Sequence, residues 1–256
     1  MHEEALTGGN MTQVVRVGDT VRRSAGRWTP TVHALLGHLR ERGFQRAPEP
    51  LGMDESGREV LSLLAGAAAR YPLPDYALSD ATLREVFAMV REYHEATVDF
   101  PLPAGASWQW PAREPFEVIC HNDIAPYNTM FVAGRPSGLI DFDTASPGPR
   151  RWDLGYAAYR FVPLTDPANP DVPYHGVAEQ RRRLALAVTA YGSTDIQPAK
   201  VLRAAIDKLC ALVAFIKAEA AAGDPAQLAV LERGDTDIYQ RDIRYLVEHT
   251  DQLAAG

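Results

Sequence analysis

Lysine is scarce in this chain of 256 residues. It occurs only at Lys200, Lys208 and Lys217, so every side-chain cation in the first 199 residues is an arginine or a histidine. Acidic residues outnumber basic ones, and the formal net charge is −7. Because neutralising the phosphates of a nucleic acid needs a basic surface, we expect no nucleic-acid partner.

Cysteine and long apolar runs are also scarce. Cys120 and Cys210 are too far apart along the chain to form a disulfide framework or a zinc cluster, which favours a reducing cytoplasm. The most apolar stretch, residues 209–222, is interrupted by two charges and falls short of the roughly 18 residues of a membrane span. Residues 1–10 lack the apolar core of a signal peptide. We therefore expect a cytoplasmic protein without a membrane span.

The chain begins with patterns typical of a small mixed lobe. Residues 13–17 and 20–23 are β-branched and flank a tight turn at Gly18, so they predict paired strands. A helix is predicted to begin with Thr29 as its N-cap and to end at Gly43. Two more strands are predicted at residues 48–52 and 58–64, and Ala65-Gly66 then breaks the pattern. We predict an N-terminal lobe over residues 1–66.

The remainder, residues 67–256, reads as a larger and mainly helical lobe. Ser79 is predicted to cap a helix over residues 81–96. A short strand over residues 116–120 and a hairpin over residues 129–140 precede three helical stretches, predicted at residues 177–191, 198–222 and 225–253. The fold class is therefore predicted to be α+β, with two lobes.

Polar side chains follow the predicted strand and the predicted hairpin at two points. Asp123 and Asn128 come after the strand, and Asp141 ends the hairpin. Phosphoryl transfer from ATP needs a group that orients the attacking hydroxyl and oxygen ligands that hold Mg²⁺. An acceptor at Asp123, a neutral oxygen at Asn128 and an anionic oxygen at Asp141 meet those needs.

The amino-acid sequence around these residues resembles that of the aminoglycoside phosphotransferase and choline kinase branch of the protein-kinase-like superfamily. The resemblance is dense over residues 116–161 and weak after residue 163. It is carried by three motifs: His121-x-Asp123-x4-Asn128, Asp141-Phe142-Asp143 and Trp152-Asp153-Leu154.

The resemblance implies an enzyme that moves the γ-phosphoryl group of ATP to a hydroxyl of a small molecule. Asp123 would accept the proton of that hydroxyl, and Asn128 and Asp141 would hold Mg²⁺. Because an ordinary Asp has a pKa of about 3.9, Asp123 is expected to orient the hydroxyl and to accept its proton late.

Three further residues have supporting roles by the same resemblance. His121 would brace the catalytic loop through backbone hydrogen bonds. Asp143 would help to hold a second metal ion or would order its own loop. Asp153 would accept hydrogen bonds from the backbone of the catalytic loop, although from the residues alone it could be only a helix cap.

The chain departs from the kinase pattern where a strand lysine holds the phosphates and pairs with a helix glutamate. No lysine precedes residue 200, and Arg22 is the preferred substitute, with Arg23 as the alternative. The helix position falls at Val32 or His33, neither of which is acidic. Arg22 would then pair elsewhere, or the phosphates would satisfy it.

The remaining nucleotide contacts are predicted from position. Gly9, in the segment 7–11, would help to cover the phosphates. The adenine would lie against backbone near Leu63, Leu64 and Ala65.

Other functions stay open at this point. The missing Lys–Glu pair also suits a nucleotide-binding pseudokinase or an immunity- or sensor-type binding protein without turnover. A protein kinase is disfavoured because no Ala-Pro-Glu signal of an activation segment follows Asp141. Four aromatic residues could frame an acceptor or belong to the core: Trp108, Trp110, Tyr127 and Tyr159. We expect a monomer or a homodimer.

Overall fold

The computed structural model describes residues 3–6 and 14–255, and it confirms the α+β fold class. Strands dominate the first part of the chain and helices the last. The chain divides into two compact units. The first takes the chain up to Ala68 together with Glu92–Asp123 and Tyr127–Arg150; the second takes Ala69–Arg91, Ile124–Pro126 and the chain from Arg151 onward.

This division differs from the predicted lobes of residues 1–66 and 67–256. The first change of unit, after Ala68, lies close to the predicted boundary. The residues His121–Asp123, Tyr127 and Asn128 and the hairpin, however, belong with the N-terminal sheet in the first unit, whereas Ile124–Pro126 belongs to the second. The reason is packing: the aromatic ring of Phe142 lies 5.8 Å from that of Tyr93, and the N-terminal helix lies against the turn Phe142–Thr144.

An antiparallel sheet forms the start of the first unit, with strand order β1-β2-β3-β5-β4. The strands are β1 (Glu4–Leu6), β2 (Val14–Val17), β3 (Thr20–Ser24), β4 (Pro50–Met53) and β5 (Arg58–Ser62). Strand β1 was not predicted, whereas the other four lie within two or three residues of the predicted strands.

Helix α1 (Thr29–Glu41) covers the predicted segment, but Trp28, and not Thr29, is its N-cap. The Oγ1 of Thr29 accepts a hydrogen bond from the backbone N–H of Gly26 at 2.9 Å, which stabilises the turn before the helix. The helix buries four apolar residues that recur at helical spacing: Val32, Leu35, Leu36 and Leu39.

The other strands of the first unit form two small antiparallel sheets, β6-β8-β9 and β7-β10. They are β6 (Ala67–Ala68), β7 (Val118–Cys120), β8 (Thr129–Val132), β9 (Arg135–Leu139) and β10 (Ser146–Gly148). Gly66 has φ +106°, and a Cβ there would lie 2.3 Å from the carbonyl oxygen of Phe131. Only glycine allows this close approach of the chain to β8.

The helices after α1 are α2 (Asp80–Thr97), α3 (Arg150–Phe161), α4 (Val177–Tyr191), α5 (Pro198–Ala221), α6 (Pro225–Glu232), α7 (Asp235–Glu248) and α8 (Thr250–Ala254). Ser79 caps α2, because its Oγ accepts from the N–H of Thr82 at 3.1 Å. The single helix predicted over residues 225–253 is wrong. Gly234 has a left-handed backbone and ends one helical run, and His249 separates the next two.

In the second unit, α3 and α5 cross closely at Gly155, where a Cβ would lie 2.5 Å from the backbone nitrogen of Ala205. The segment after α3 is anchored on the fully buried carboxylate of Asp242. That carboxylate accepts from the Tyr159 hydroxyl at 2.7 Å, the Asp166 N–H at 2.8 Å and the Asn169 amide at 2.7 Å. Among the described residues, no helix combines the length and the apolar character needed to cross a membrane.

Candidate active site

The loop His121–Asn128, which is the predicted catalytic loop, begins where strand β7 ends, and it is tied to the turn that follows β9. Asn122 has φ 70°, an uncommon left-handed conformation for a residue other than glycine. Its amide nitrogen donates to the carbonyl of Thr144 at 2.8 Å and to the hydroxyl of Ser146 at 2.9 Å. The Thr144 hydroxyl donates in return to the carbonyl of His121 at 2.8 Å. These reciprocal bonds hold the two loops together despite the strained backbone.

The ring of His121 is buried and bonded through both nitrogens. Its Nδ1 accepts from the N–H of Asp123 at 3.3 Å, and its Nε2 lies 3.0 Å from the carbonyl of Ile140. Since Nδ1 faces a donor and Nε2 faces an acceptor, these contacts assign the proton to Nε2. Phe142 packs on the ring with centroids 4.6 Å apart. These are contacts of the kind that the predicted bracing role requires, and that role stays a prediction.

Both carboxylate oxygens of Asp123 accept hydrogen bonds from the next turn of the chain. The Tyr127 hydroxyl donates to Oδ1 at 2.8 Å, and Nδ2 of Asn128 donates to Oδ2 at 2.8 Å. The same Nδ2 donates to the Asp123 carbonyl at 3.0 Å. Because both partners of Nδ2 are acceptors, the orientation of the amide is defined, and its Oδ1 is the atom not engaged with Asp123.

Asp141 lies between the hairpin and the turn Phe142–Thr144, in a left-handed conformation with φ 67°. The N–H of Ile140 donates to the carbonyl of Asn128 at 2.9 Å, which aligns the end of the hairpin with the catalytic loop. Phe142 is buried and anchors the turn, whereas the Asp141 side chain is 48% exposed. A half-exposed carboxylate held on a fixed turn suits a ligand-binding role.

Arg23, on β3, connects the N-terminal sheet to this turn. Its guanidinium donates to Oδ1 of Asp141 at 2.8 Å and to Oδ1 of Asp143 at 2.5 Å. Its Nε lies 2.5 Å from a carboxylate oxygen of Glu59. The side chain of Arg23 is 8% exposed, so these pairs are shielded from water.

Arg22, the preferred substitute for the missing lysine, lies elsewhere. Its side chain pairs with Asp54 at 3.3 Å, in the turn between β4 and β5. Neighbouring residues on a strand point to opposite faces of the sheet, so only one of the two arginines can face the carboxylates. The structure therefore reverses the predicted preference and brings Arg23 to the site.

The acid that pairs with this arginine is on β5 and not on a helix. Glu59 is directly opposite Arg23 in the β3–β5 ladder and is 1% exposed. Its other oxygen lies 3.0 Å from Nε2 of His33 on α1. Thus His33 does occupy the helix position that was predicted to face the arginine, and Glu59 lies between them. Sequence reasoning missed Glu59, although an acid next to Val60 and Leu61 on a short apolar strand was a usable signal.

The negative and positive charges of the cluster around Arg23 do not balance. Within the described residues, the Arg23 guanidinium contacts the carboxylates of Glu59, Asp141 and Asp143. Burial lowers the pKa of Arg23, but the three carboxylates outweigh it and keep that pKa above its ordinary value. Burial raises the pKa of Asp143 to about 6, since Asp141 and Glu59 add to the rise and Arg23 only partly offsets it. The cluster therefore has an excess of negative charge.

The residues present fit a magnesium ion by their chemistry. Asp141 and Asn128 offer a carboxylate and an amide oxygen, the kinds of ligand that Mg²⁺ prefers. Across residues 3–6 and 14–255, no group of three or more His, Cys, Asp or Glu is placed to hold a metal by itself. Mg²⁺ commonly takes most of its ligands from phosphate and water, so a complete protein cage is not required.

The remaining predicted contacts are only partly accounted for. Gly9 lies outside the described residues. The N–H of Leu63 donates to the carbonyl of Asp19 at 3.0 Å and is already used within the sheet region. Asp153 is fully buried in the first turn of α3, and its role as a brace stays a prediction. Tyr159 is buried against Asp242 and so belongs to the core.

Comparison with known proteins finds a family match over the segment that contains the loops of the candidate site. The model of the phosphotransferase enzyme family (APH) matches residues 102–187, about a third of the chain. The trifolitoxin immunity protein of Rhizobium leguminosarum bv. trifolii is 38% identical over 170 residues. That match covers 64% of this chain and 64% of the relative, so it spans less than two thirds of the relative's length.

Solved structures resemble nearly the whole chain. A choline/ethanolamine kinase family protein from Mesorhizobium loti is 18% identical, with a TM-score of 0.62, over 100% of this chain and 93% of that one. An amicoumacin kinase in complex with AMP-PNP and Ca²⁺ is 12% identical, with a TM-score of 0.68, over 98% and 88%. Aminoglycoside 2'-phosphotransferase-IIIa in its GDP complex is 15% identical, with a TM-score of 0.59, over 98% and 92%.

At these identities the likeness to solved structures establishes the fold. The resemblance predicted from the motifs is confirmed. Residues 102–187 match the phosphotransferase enzyme family, and the chain has the protein-kinase-like fold of choline kinases and aminoglycoside phosphotransferases.

Proposed function

We propose that this protein transfers the γ-phosphoryl group of ATP, with Mg²⁺, to a hydroxyl of a small molecule. The observation that carries the proposal is that Arg23 donates hydrogen bonds to both Asp141 and Asp143. In the neighbouring loop, Asn128 holds the carboxylate of Asp123. A cation for phosphates and carboxylates for a metal are the parts that phosphoryl transfer requires.

Asp123 would orient the acceptor hydroxyl and receive its proton. Its backbone N–H is held by His121 and its carboxylate by the amide of Asn128, so its position is fixed before the reaction begins. Asn128 and Asp141 would hold the metal ion through their oxygens. Bound ATP and Mg²⁺ would supply the phosphoryl group and neutralise the charge that develops on it.

Arg23 would hold phosphate in place of the lysine of other kinases. A guanidinium is always charged and can bind phosphate oxygens in a bidentate manner. Glu59 and His33 keep the arginine at the face of β3 that meets the carboxylates. Adenine would lie near Leu64 and Ala65. Its amino group would donate to the carbonyl of Leu63, because the Leu63 N–H is already bonded to Asp19.

A second function, nucleotide binding without turnover, has two specific observations in its favour. The similar curated protein is an immunity protein. In addition, Arg23 bridges both carboxylates of the metal-binding turn, which would compete with a metal ion for Asp141. A chain of this kind would bind a nucleotide or another ligand and would release no ADP.

Thermal unfolding with and without ATP and Mg²⁺ tests binding first. A ligand at 100 times its Kd stabilises the folded state by about 2.7 kcal/mol, which is a clear shift in Tm for a chain of this size. We expect the shift to need Mg²⁺ and to be absent with Mg²⁺ alone. No shift at millimolar ATP with Mg²⁺ would contradict both proposed functions.

Turnover is tested by ADP release with a panel of hydroxylated acceptors, including aminoglycosides, choline and macrolides. The matched variant Asp123→Asn keeps the size of the side chain but removes its charge. We expect ADP release to fall by about 10²-fold to 10⁴-fold in this variant, the range for loss of a general base. Equal, measurable rates in both proteins would contradict the role of Asp123, and ATP binding without any product would support the binding-only function.

A further inference from the structure

The contact between Tyr127 and Asp123 has no role in the function proposed above. Tyr127 follows Asp123 by four residues, and the turn Pro126–Asn128 brings its hydroxyl back to Oδ1 of Asp123 at 2.8 Å. Both side chains are half-buried and belong to the first unit. A hydroxyl group therefore already donates to the carboxylate that is proposed to receive the acceptor hydroxyl.

A tyrosine hydroxyl and an alcohol present the same donor to a carboxylate, an O–H group. An acceptor that is ready for transfer must place its O–H within about 2.6–3.2 Å of the base. The Tyr127 hydroxyl satisfies that distance. An acceptor hydroxyl offers Oδ1 the same kind of hydrogen bond, so it would compete with the Tyr127 hydroxyl for that oxygen.

We propose that the Tyr127 hydroxyl stands in for the acceptor hydroxyl on Asp123 and thereby restrains transfer of the phosphoryl group to water. This inference rests on the proposed phosphotransferase function. In the reaction that is restrained, a water oxygen bonds to the γ-phosphorus of ATP as the bond to the β-phosphate oxygen breaks. ADP leaves, and the water proton passes to Asp123 and then to solvent.

Asn128 explains why the restraint acts on one oxygen only. Its amide holds Oδ2 of Asp123 and the Asp123 carbonyl, so the carboxylate keeps its orientation when the Tyr127 hydroxyl moves away. Oδ1 then becomes available to the acceptor. Tyr127 is a positioning residue in this scheme, because it acts on the base and not on the reacting atoms.

The test compares ATP hydrolysis without any acceptor in the wild type and in Tyr127→Phe. Loss of a hydrogen bond to a charged group is worth about 1.5 kcal/mol or more, and about 1.4 kcal/mol corresponds to a factor of ten in rate. We expect hydrolysis to rise by about tenfold in Tyr127→Phe. Tyr174→Phe is the matched control, since it removes an exposed hydroxyl that also faces another hydroxyl, that of Tyr245 at 3.3 Å. Its rate should equal that of the wild type.

A second readout does not depend on turnover. A double-mutant cycle of Tyr127→Phe and Asp123→Ala on urea unfolding should show coupling of about threefold to tenfold in the unfolding equilibrium constant, because the two groups share a hydrogen bond. The absence of coupling would overturn the inference, and so would coupling without a rise in hydrolysis.

Three further results would also overturn it, and they differ in whether they refute the proposed function as well. Phosphotyrosine at Tyr127 after incubation with ATP and Mg²⁺, detected by mass spectrometry of the peptide, would make this residue an acceptor and not a stand-in. If neither the wild type nor any variant releases ADP, with or without an acceptor, the proposed function fails and this inference fails with it. Equal hydrolysis in wild type and Tyr127→Phe refutes the inference alone.

Discussion

Two acidic clusters in this chain are neutralised in different ways. In the first unit, the guanidinium of Arg23 contacts three carboxylates, those of Glu59, Asp141 and Asp143. In the second unit, the Asp242 carboxylate is bonded by neutral donors, the hydroxyl of Tyr159 among them. Around Arg23, three carboxylates face one guanidinium, so the charges do not balance. At Asp242, a single carboxylate accepts hydrogen bonds from three neutral donors.

The difference separates a site from a structural anchor. Burial raises the pKa of Asp242, and the donors around it oppose that rise and fix the segment after α3. The Arg23 cluster keeps an excess of negative charge and one half-exposed carboxylate, that of Asp141. A bound cation would offset the excess negative charge around Arg23, whereas it would add nothing at Asp242.

The largest effect is expected from Arg23→Ala. Removing one partner of a buried ion-pair cluster leaves its carboxylates uncompensated, which typically costs about 3–5 kcal/mol. We expect a loss of that size in the free energy of unfolding, together with loss of the ATP-dependent shift in Tm. Urea unfolding and thermal shift measure the two effects.

Arg22→Ala is the matched control for this prediction. It removes the neighbouring arginine of the same strand, which pairs with Asp54. We expect a loss of about 1 kcal/mol or less and an unchanged response to ATP. If Arg22→Ala were the variant that abolished ATP binding, the assignment of Arg23 to the site would be wrong.

A smaller loss is expected from Asp242→Ala, about 2–3 kcal/mol. The change leaves the Tyr159 hydroxyl, the Asn169 amide and the Asp166 N–H without their acceptor, and unsatisfied buried donors are costly. Amide hydrogen exchange should accelerate in the segment between α3 and α4. Because none of these groups belongs to the proposed site, ATP binding should persist, and its loss would remove the distinction between the two clusters.

The smallest effect concerns Asp143 and pH. Its pKa is raised to about 6 in the folded protein, so the folded state binds its proton more tightly than the unfolded chain does. Stability attributable to this group is therefore present at low pH and is lost as pH rises from about 4 through about 6. We expect Asp143→Asn, measured in a chelator, to gain on the order of 1 kcal/mol relative to wild type between pH 5 and pH 7.5. A difference that does not change with pH would contradict the raised pKa.

Much of the fold and of the site could be predicted because the evidence is local. The spacing from His121 to Asn128 lies within one loop, and the apolar stripe of α1 repeats at helical intervals. The predictions that failed depended on finer features of the backbone. Gly234 ends a helix through its left-handed conformation, and a single glycine within a helical pattern does not by itself reveal this.

What the sequence alone determined is the order and spacing of Asp123, Asn128 and Asp141, and with them the type of fold. The tertiary structure decided which arginine joins them. Strand alternation turns Arg23 and Arg22 to opposite faces, and only the register of β3 against β5 places Glu59 opposite Arg23. That register depends on pairing between residues 36 positions apart in the sequence, which no local pattern encodes.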